Sequence, residues 1–504
     1  MSYRNKFFKS GMMLTMVGLA MRTVSMFFAA FVSRTVGAEG VGLYTIVMTV
    51  YSFAVTFATS GISLTVTRLV AAAIGEGRPN NLGRILRGAL IYAFSFAAAA
   101  TLFLFFGANF LGKYVLSDQR TVASLRVLAF SLIPIALGSV FSGYFVGVKR
   151  VGFNAMTQVF AQFVKITLTV VLVLKMSSYG MVYSVIALCI GITVTELLAF
   201  MLMLCEFAYD RKRHVPNGGE NSGAELGAVS KMAIPLALSA YVRSILLTLE
   251  HILIPKRLRD GGESASESYA HYGILHGMAL PMILYPMSPL SSFSGLLVPE
   301  FAEDMSSGNS ERMSRIASEA INATLTYAAV ATVFLYIFSE ELGYVVYRSY
   351  DAGYYISMLA LIVPIMYLDH VTDSMLKGIG EHVFSMWVNI SDSLLSVILV
   401  WFLIPKMGIM GYAVVIVVME GYNFALSLSR LLRRVKFKIY PMRSVVLPLF
   451  ASIIAGSISL SLFKFAGSGV SPLWLVLKMV FALCLFVAIF IPFYRMIEER
   501  IAHG

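Results

Sequence analysis

Residues Gly11 to Val32 read GMMLTMVGLAMRTVSMFFAAFV, an apolar run with one arginine, Arg22, at its centre. A helix rises about 1.5 Å per residue, so Arg22 lies roughly 16 Å from the start of the run. That is close to the midplane of a hydrocarbon core about 30 Å thick. An arginine near a helix end can snorkel to the interface, but from the centre it must face protein or water, at a cost of about 3 kcal/mol or more. Intramembrane charges of this kind are either neutralised within the bundle or used to hold something.

The whole chain has the same character. Its 504 residues are 58% apolar and 13% charged, with mean hydropathy +0.80. Soluble domains carry about 25% charged residues, so this is an all-α polytopic membrane protein. Cys189, Cys205 and Cys484 all sit in apolar segments, with no spacing for a disulfide framework or a metal, and packing is their expected role. No cleavable signal peptide is expected, because Arg22 interrupts the first apolar run and no small-residue cleavage site follows a short apolar region.

Apolar stretches of about 20 residues predict fourteen spans. They fall at 11–33, 42–74, 84–110, 122–147, 153–175, 180–208, 231–254, 271–299, 314–338, 353–376, 383–404, 409–431, 444–466 and 472–494. The long second and eighth spans are expected to tilt or kink. An even count places both termini on one side. The termini and the loops on their side carry 23 of the 39 Lys and Arg, the opposite loops 12 and the membrane interior four. The positive-inside rule then makes both termini cytoplasmic and accounts for the net charge of +12 without nucleic acid. No linker is long enough for a soluble domain. The longest are 209–230 and 255–270.

The sequence repeats weakly after about 231 residues. Gly61 to Leu90 lies without gaps over Ser292 to Ile321, and Gly42, Arg84 and Ile85 fall on Gly273, Arg315 and Ile316. Pro134-Ile135 matches Pro364-Ile365, and Lys175 and Gly180 match Lys406 and Gly411. Six helices per half is an even number, which predicts parallel repeats about a pseudo-twofold normal to the membrane. The expected organisation is 1–230 (six helices), 231–433 (six helices) and 434–504 (two more helices and a tail). At a shift of 221, the ten missing residues being absorbed by the longer loop at 255–270, LAMRTVS around Arg22 corresponds to AYVRSIL around Arg243. A symmetric pair of arginines suits a large anionic headgroup, since guanidinium forks match phosphate oxygens.

Other polar residues interrupt the spans. Arg68 lies late in the second span, within snorkelling reach of the cytoplasmic interface. Lys165 shares a helical face with Gln158 and Gln162, and Glu196 in the next span is its natural acidic partner. Asp369 and Asp373 lie one turn apart around His370, followed by Asn389, Ser391 and Asp392, then Glu420 and Asn423. These oxygens can build a site for a coupling cation, Na+ or H+, or a plain hydrogen-bond network. Pro281, Pro286 and Pro289 crowd the eighth span, where freed backbone groups must find other partners. There is no GxxxxGK[ST], HExxH, CxxC or GxSxG element, so neither nucleotide hydrolysis nor catalysis is expected.

Gly37-Ala-Glu-Gly-Val-Gly-Leu-Tyr44, Ser60-Gly-Ile62 and Arg68-Leu-Val-Ala-Ala72 resemble the stage V sporulation protein B group. That group belongs to the polysaccharide-flippase branch of the MOP (multidrug, oligosaccharidyl-lipid, polysaccharide) superfamily. The resemblance runs along nearly the full chain and implies flipping or export of a lipid-linked sugar, typically an undecaprenyl-pyrophosphate-linked peptidoglycan or polysaccharide precursor. The related lipid II flippase carries a critical arginine in its first helix, which Arg22 matches. The arginine of its eighth helix has no counterpart, since 271–299 contains none, and Arg243 is the substitute. Its cation site uses an Asn and an Asp one turn apart in helix eleven, where this chain has Asn389 and Asp392, three residues apart.

The sequence therefore predicts an alternating-access flippase with no enzyme activity and no fixed cofactor. Arg22, Arg243, Lys165 and Arg68 are the candidates for headgroup binding, and Asn389, Asp392, Asp369 and Asp373 for ion coupling. The expected setting is a monomer in the cytoplasmic membrane, meeting lipid-linked sugar and membrane lipid. The alternatives are a multidrug or cation antiporter on the same fold and a non-transporting scaffold in cell-wall or spore-coat assembly.

Overall fold

A computed structural model describes residues 3–76, 81–214, 225–465 and 471–502; the side chains of 3–20, 22, 211–214, 239, 465 and 497–502 lie outside that description. Among the described residues there are helices and no strands. In chain order the first half comprises α1 (Tyr3–Thr59), α2 (Ile62–Gly75), α3 (Leu82–Phe110), α4 (Thr121–Ala129), α5 (Leu132–Gly147), α6 (Val151–Met176) and α7 (Met181–His214). The second begins with α8 (Leu226–Asp260), α9 (Ala265–Tyr272), α10 (Leu280–Leu284), α11 (Met287–Ser307), α12 (Ser310–Ile337) and α13 (Ser339–Leu342). It continues with α14 (Tyr350–Ala360), α15 (Val363–Gly378), α16 (His382–Met407) and α17 (Ile409–Arg434), and α18 (Leu447–Phe465) and α19 (Pro472–Ala502) close the chain.

Ten helices are long and apolar enough to cross a membrane, or up to twelve if each of two bent helix pairs is one span. The fourteen expected spans differ from this count at two places. The first two expected spans follow one another directly, meeting at Gly37, whose backbone (φ 78°, ψ 172°) is not helical, and the second is broken again between Thr59 and Ile62. The eighth is broken into α9, a widened π-type turn at Gly273–Ala279, α10 and α11, none of them a continuous apolar span. Proline causes the second departure, because it lacks the N–H that would continue the ladder. Side-chain donors serve the carbonyls at that break: Tyr367 OH reaches Ile283 O at 2.9 Å, Tyr327 OH reaches Pro286 O at 2.6 Å and Ser288 Oγ reaches Tyr285 O at 2.7 Å.

Exposed large apolar side chains such as Phe106 (73%), Phe163 (71%) and Phe450 (63%) lie on helices of this length. Water would penalise such a surface and lipid does not. The molecule is thus a multi-pass membrane protein.

The chain forms two compact units, one of Thr35–Ala270 and one of Met1–Arg34 with His271–Gly504. These units and the repeat halves differ by an exchange: the helix opening each half, Tyr3 to Arg34 or α8, belongs with the other half. The expected partition at 230 and 433 follows the repeat, whereas the units follow contacts. In the unit holding Tyr3 to Arg34, Arg34 Nε donates to Val346 O at 2.9 Å and its Nη2 to Val345 O, and Thr23 Oγ1 lies 2.8 Å from Tyr285 OH. The same unit contains a core of Phe301, Met313, Ala317, Val371, Met375 and Leu431, where α11, α12, α15 and α17 meet.

In the other unit the glycine-rich stretch sets close approaches. A Cβ on Gly42 would lie 1.8 Å from Tyr269 O, and one on Gly61 2.4 Å from Ala233 O, with Gly61 also at φ +79°. Backbone against backbone at that distance admits only glycine. Glu39, from the same stretch, accepts a bond from Arg120 Nη1 at 2.7 Å, and Arg120 also grips Asp118. Those bonds keep the Arg120 guanidinium protonated more firmly than usual, the hydrogen bond to Asp118 being the larger cause. Arg120 and Arg259 both approach the ring of Tyr269, 6.0 and 5.8 Å from its centre.

Candidate functional site

Each unit carries one set of charges at membrane depth. In the unit Thr35–Ala270, α6 and α7 run side by side and bring Lys165 and Glu196 within electrostatic range. Both are partly buried, as the sequence pairing anticipates. Glu196 is also in range of Tyr51, whose hydroxyl bonds Ser131 Oγ at 2.6 Å. A cation facing a carboxylate inside a span pair is largely neutralised, which weakens Lys165 as an anion ligand. A turn or more away, Thr157 donates to the buried Glu206 at 2.9 Å, and Arg150 and Tyr144 both donate to Asp210, whose side chain is fully buried.

Arg243 behaves otherwise. It is residue eighteen of the 35 in α8, so about 26 Å of helix lies on either side. It is exposed, and it forms no ion pair among the described residues. Arg68, on α2, is likewise exposed and without an ion pair among the described residues. The side chain of Arg22 lies outside the described residues, although its backbone is helical.

The second set belongs to the unit that contains α15, α16 and α17. Asp369 on α15 is in electrostatic range of Asp392 on α16, and Glu420 on α17 is in range of both. Ser427 lies within reach of Asp369, whose Oδ1 is buried without a hydrogen-bond partner, as is Thr372 Oγ1 one turn on. Asp373 is different: Lys377 Nζ lies 2.5 Å from its Oδ2. Asn389 turns its amide back to Ser385 O at 2.7 Å, and Ser391 Oγ sits 3.1 Å from Tyr422 OH. Among the described residues no group of three or more His, Cys, Asp or Glu is placed to hold a metal ion.

The repeat makes the asymmetry explicit. At a shift of 231, Gln158 corresponds to Asn389, Lys165 to Ser396 and Glu196 to Ser427. One half thus carries a cation with a carboxylate on this hairpin. The other replaces both with serine and gathers Asp369, Asp392 and Glu420 around it. Ser427 and Tyr422 escape a sequence reading because isolated hydroxyls in apolar helices are common; the repeat register is the signal that points to Ser427. Lys478 escapes as well: it is buried (4% exposed) and ion-paired to Glu341 Oε1 at 2.7 Å.

The described residues thus form an all-helical membrane protein of two repeated halves, with charges of both signs at membrane depth. Residues 7–305 match the family model described as polysaccharide biosynthesis protein, and residues 281–402 match the MatE model. The first covers more than half of the chain, which therefore belongs to the polysaccharide biosynthesis protein family. It is 26% identical over 479 residues to stage V sporulation protein B of Bacillus subtilis strain 168, covering 93% of this chain and 91% of that one. The fold matches the lipid II flippase MurJ (inward closed conformation) with TM-score 0.73 at 14% identity, over 96% of this chain and 99% of that chain. It also matches an inward-facing multidrug resistance MATE transporter of the MOP superfamily, with TM-score 0.64 at 14% identity, over 83% and 98%. The chain therefore shares the fold of these MOP-superfamily structures.

Proposed function

We propose that this protein is an alternating-access flippase for a lipid-linked sugar, of the undecaprenyl-pyrophosphate type that serves as a peptidoglycan or polysaccharide precursor. The observation that carries the reading is Arg243, a mid-span guanidinium that is exposed and has no ion pair among the described residues. Such a charge needs water or a ligand of opposite sign, and a pyrophosphate offers its fork several oxygens. Arg22, its partner in the repeat, takes the same role, with Arg68 nearer the interface and Lys165 a weaker contributor because Glu196 answers it. The acidic set of Asp369, Asp392 and Glu420 biases the cycle through a bound Na+ or H+, with Asn389 beside it. The protein works as a monomer in the cytoplasmic membrane, both termini inside, as the distribution of Lys and Arg implies.

A second reading, antiport of a cationic solute, draws on the same carboxylates, and the fold likeness to a multidrug MATE transporter agrees with it. Proteoliposomes separate the two. Arg243→Ala and Arg22→Ala should each slow translocation of a pyrophosphate-linked lipid at least tenfold at unchanged protein level, and Arg243→Lys should recover only part. Unchanged rates in both alanine variants would remove the arginine reading. Uptake of ethidium-like cations with no lipid flipping would establish the antiporter.

A further inference from the structure

One cleft lies apart from these charges, where α12 begins, α18 begins and α19 ends. Its volume is about 1350 Å³. Along it runs the non-helical linker 435–440, extended where it leaves α17 at Val435 and zipped to α12 by three side chains at four-residue spacing. Ser314 Oγ donates to Lys436 O. Ser318 Oγ accepts from Lys438 N at 2.9 Å. Asn322 donates to Lys438 O at 2.8 Å and accepts from Tyr440 N at 2.9 Å and Ser444 Oγ at 2.7 Å. Four helical residues rise about 6.0 Å and two extended residues about 6.6 Å, so the two periods stay in step. Because side chains alternate along an extended chain, Val435 and Phe437 turn to the core, and Lys436 and Lys438 turn together to the cleft.

The rim carries Arg315, Arg434, Lys436, Lys438 and Arg443 against Glu311 and Glu319. Arg434 is engaged by Glu381, and Arg443 lies 4.1 Å over the ring of Tyr494. Arg315, Lys436 and Lys438 are exposed and form no ion pair among the described residues. Below the rim the wall turns apolar: Leu483, Phe486, Phe490 and Tyr494 follow one face of α19, with successive ring centres 5.1 and 5.3 Å apart. That face lies within the apolar span Pro472–Met496. A cationic rim above an apolar wall that continues into a membrane span matches an amphiphile with an anionic head, and a soluble anion would leave the wall unused. Anionic lipids are drawn to basic clusters at the membrane surface.

We propose that this cleft seats a resident anionic glycerophospholipid, its phosphodiester held by Arg315, Lys436 and Lys438 and one acyl chain laid along Leu483, Phe486 and Phe490. The lipid fastens α18 and α19 to α12 and is not itself transported, so the proposal stands independently of the cargo.

The test uses the delipidated full-length protein in detergent, read by thermal unfolding and by native mass spectrometry. Phosphatidylglycerol should raise the unfolding temperature and bind one to one, phosphatidylcholine should do neither, and free glycerol phosphate should have no effect. The variant Arg315→Ala/Lys436→Ala/Lys438→Ala should unfold like the parent without lipid and bind phosphatidylglycerol at least tenfold more weakly. Removing three exposed cations elsewhere, in Arg87→Ala/Lys231→Ala/Lys406→Ala, should leave binding unchanged. Equal effects of both lipids, the full shift with glycerol phosphate, or undiminished binding in the first variant would overturn the proposal. So would displacement of phosphatidylglycerol by a lipid-linked pyrophosphate sugar, which would reassign the cleft to the cargo's path.

Discussion

Arg150 and Glu381 occupy the same repeat position, 231 residues apart, and carry opposite charges. Each immediately precedes the first helix of a helical hairpin, α6 or α16, and each binds the far end of the second helix. Arg150 donates to Asp210 of α7, while Glu381 accepts from Arg430 Nη2 and Arg434 Nε of α17, each at 2.9 Å. The clamp persists with its polarity reversed. Closing the hairpin therefore depends on complementarity and not on the sign of either residue.

The Glu381 clamp gives a pH dependence with a definite sign. The hydrogen bond from Arg430, and after it that from Arg434, holds the Glu381 carboxyl below its ordinary 4.5. A carboxyl with a lowered folded-state value stabilises fully above the unfolded value and loses that contribution as pH falls through the folded one. Glu381→Gln should therefore unfold at a lower temperature than the parent at pH 7. The two should converge as the pH falls below about 4.5. Thermal unfolding in detergent between pH 3 and 7 measures both, and a gap that stays constant at the acid end would show that the clamp is not its source.

The proline-broken segment depends on borrowed donors. Tyr367 is fully buried, and its hydroxyl donates to Ile283 O. Tyr367→Phe keeps the ring and leaves that carbonyl without its donor, which should lower stability by about 1–3 kcal/mol. Tyr336→Phe, at a ring that is 53% exposed, should change stability little. Unfolding of the two variants in parallel checks the contrast; equal effects would mean that the Tyr367 ring, and not its hydroxyl, supports the break.

Much of this was legible in the sequence because membrane helices are written in hydropathy. The spans, the repeat and the pairing of Lys165 with Glu196 all follow from composition and spacing. The reciprocal exchange of opening helices does not, because hydropathy records depth and not neighbours. The stretch from Gly37 to Tyr44 was legible only as a likeness; its physical reason, the Tyr269 backbone against Gly42, is a contact distant in sequence. The zipper on α12 lay closer to view, since Ser314, Ser318 and Asn322 fall on one helical face beside a linker of alternating lysines.

The acidic set yields the sharpest contrast between neighbours. Asp369 and Asp373 share one face of α15, and sequence treats them as equals. The structure does not: Asp373 is answered by Lys377 at 2.5 Å, whereas Asp369 keeps a buried oxygen without a partner and stands in range of Asp392 and Glu420. Carboxylates in mutual range at membrane depth require a counter-charge, which a proton or a cation can supply. In proteoliposomes, Asp369→Asn should flatten the dependence of transport on external Na+ or on the pH gradient, with cargo binding retained. Asp373→Asn should keep that dependence, since it exchanges one member of an ion pair that is already satisfied. Flux that remains cation-dependent in Asp369→Asn, or loses its dependence in Asp373→Asn, would place the coupling elsewhere.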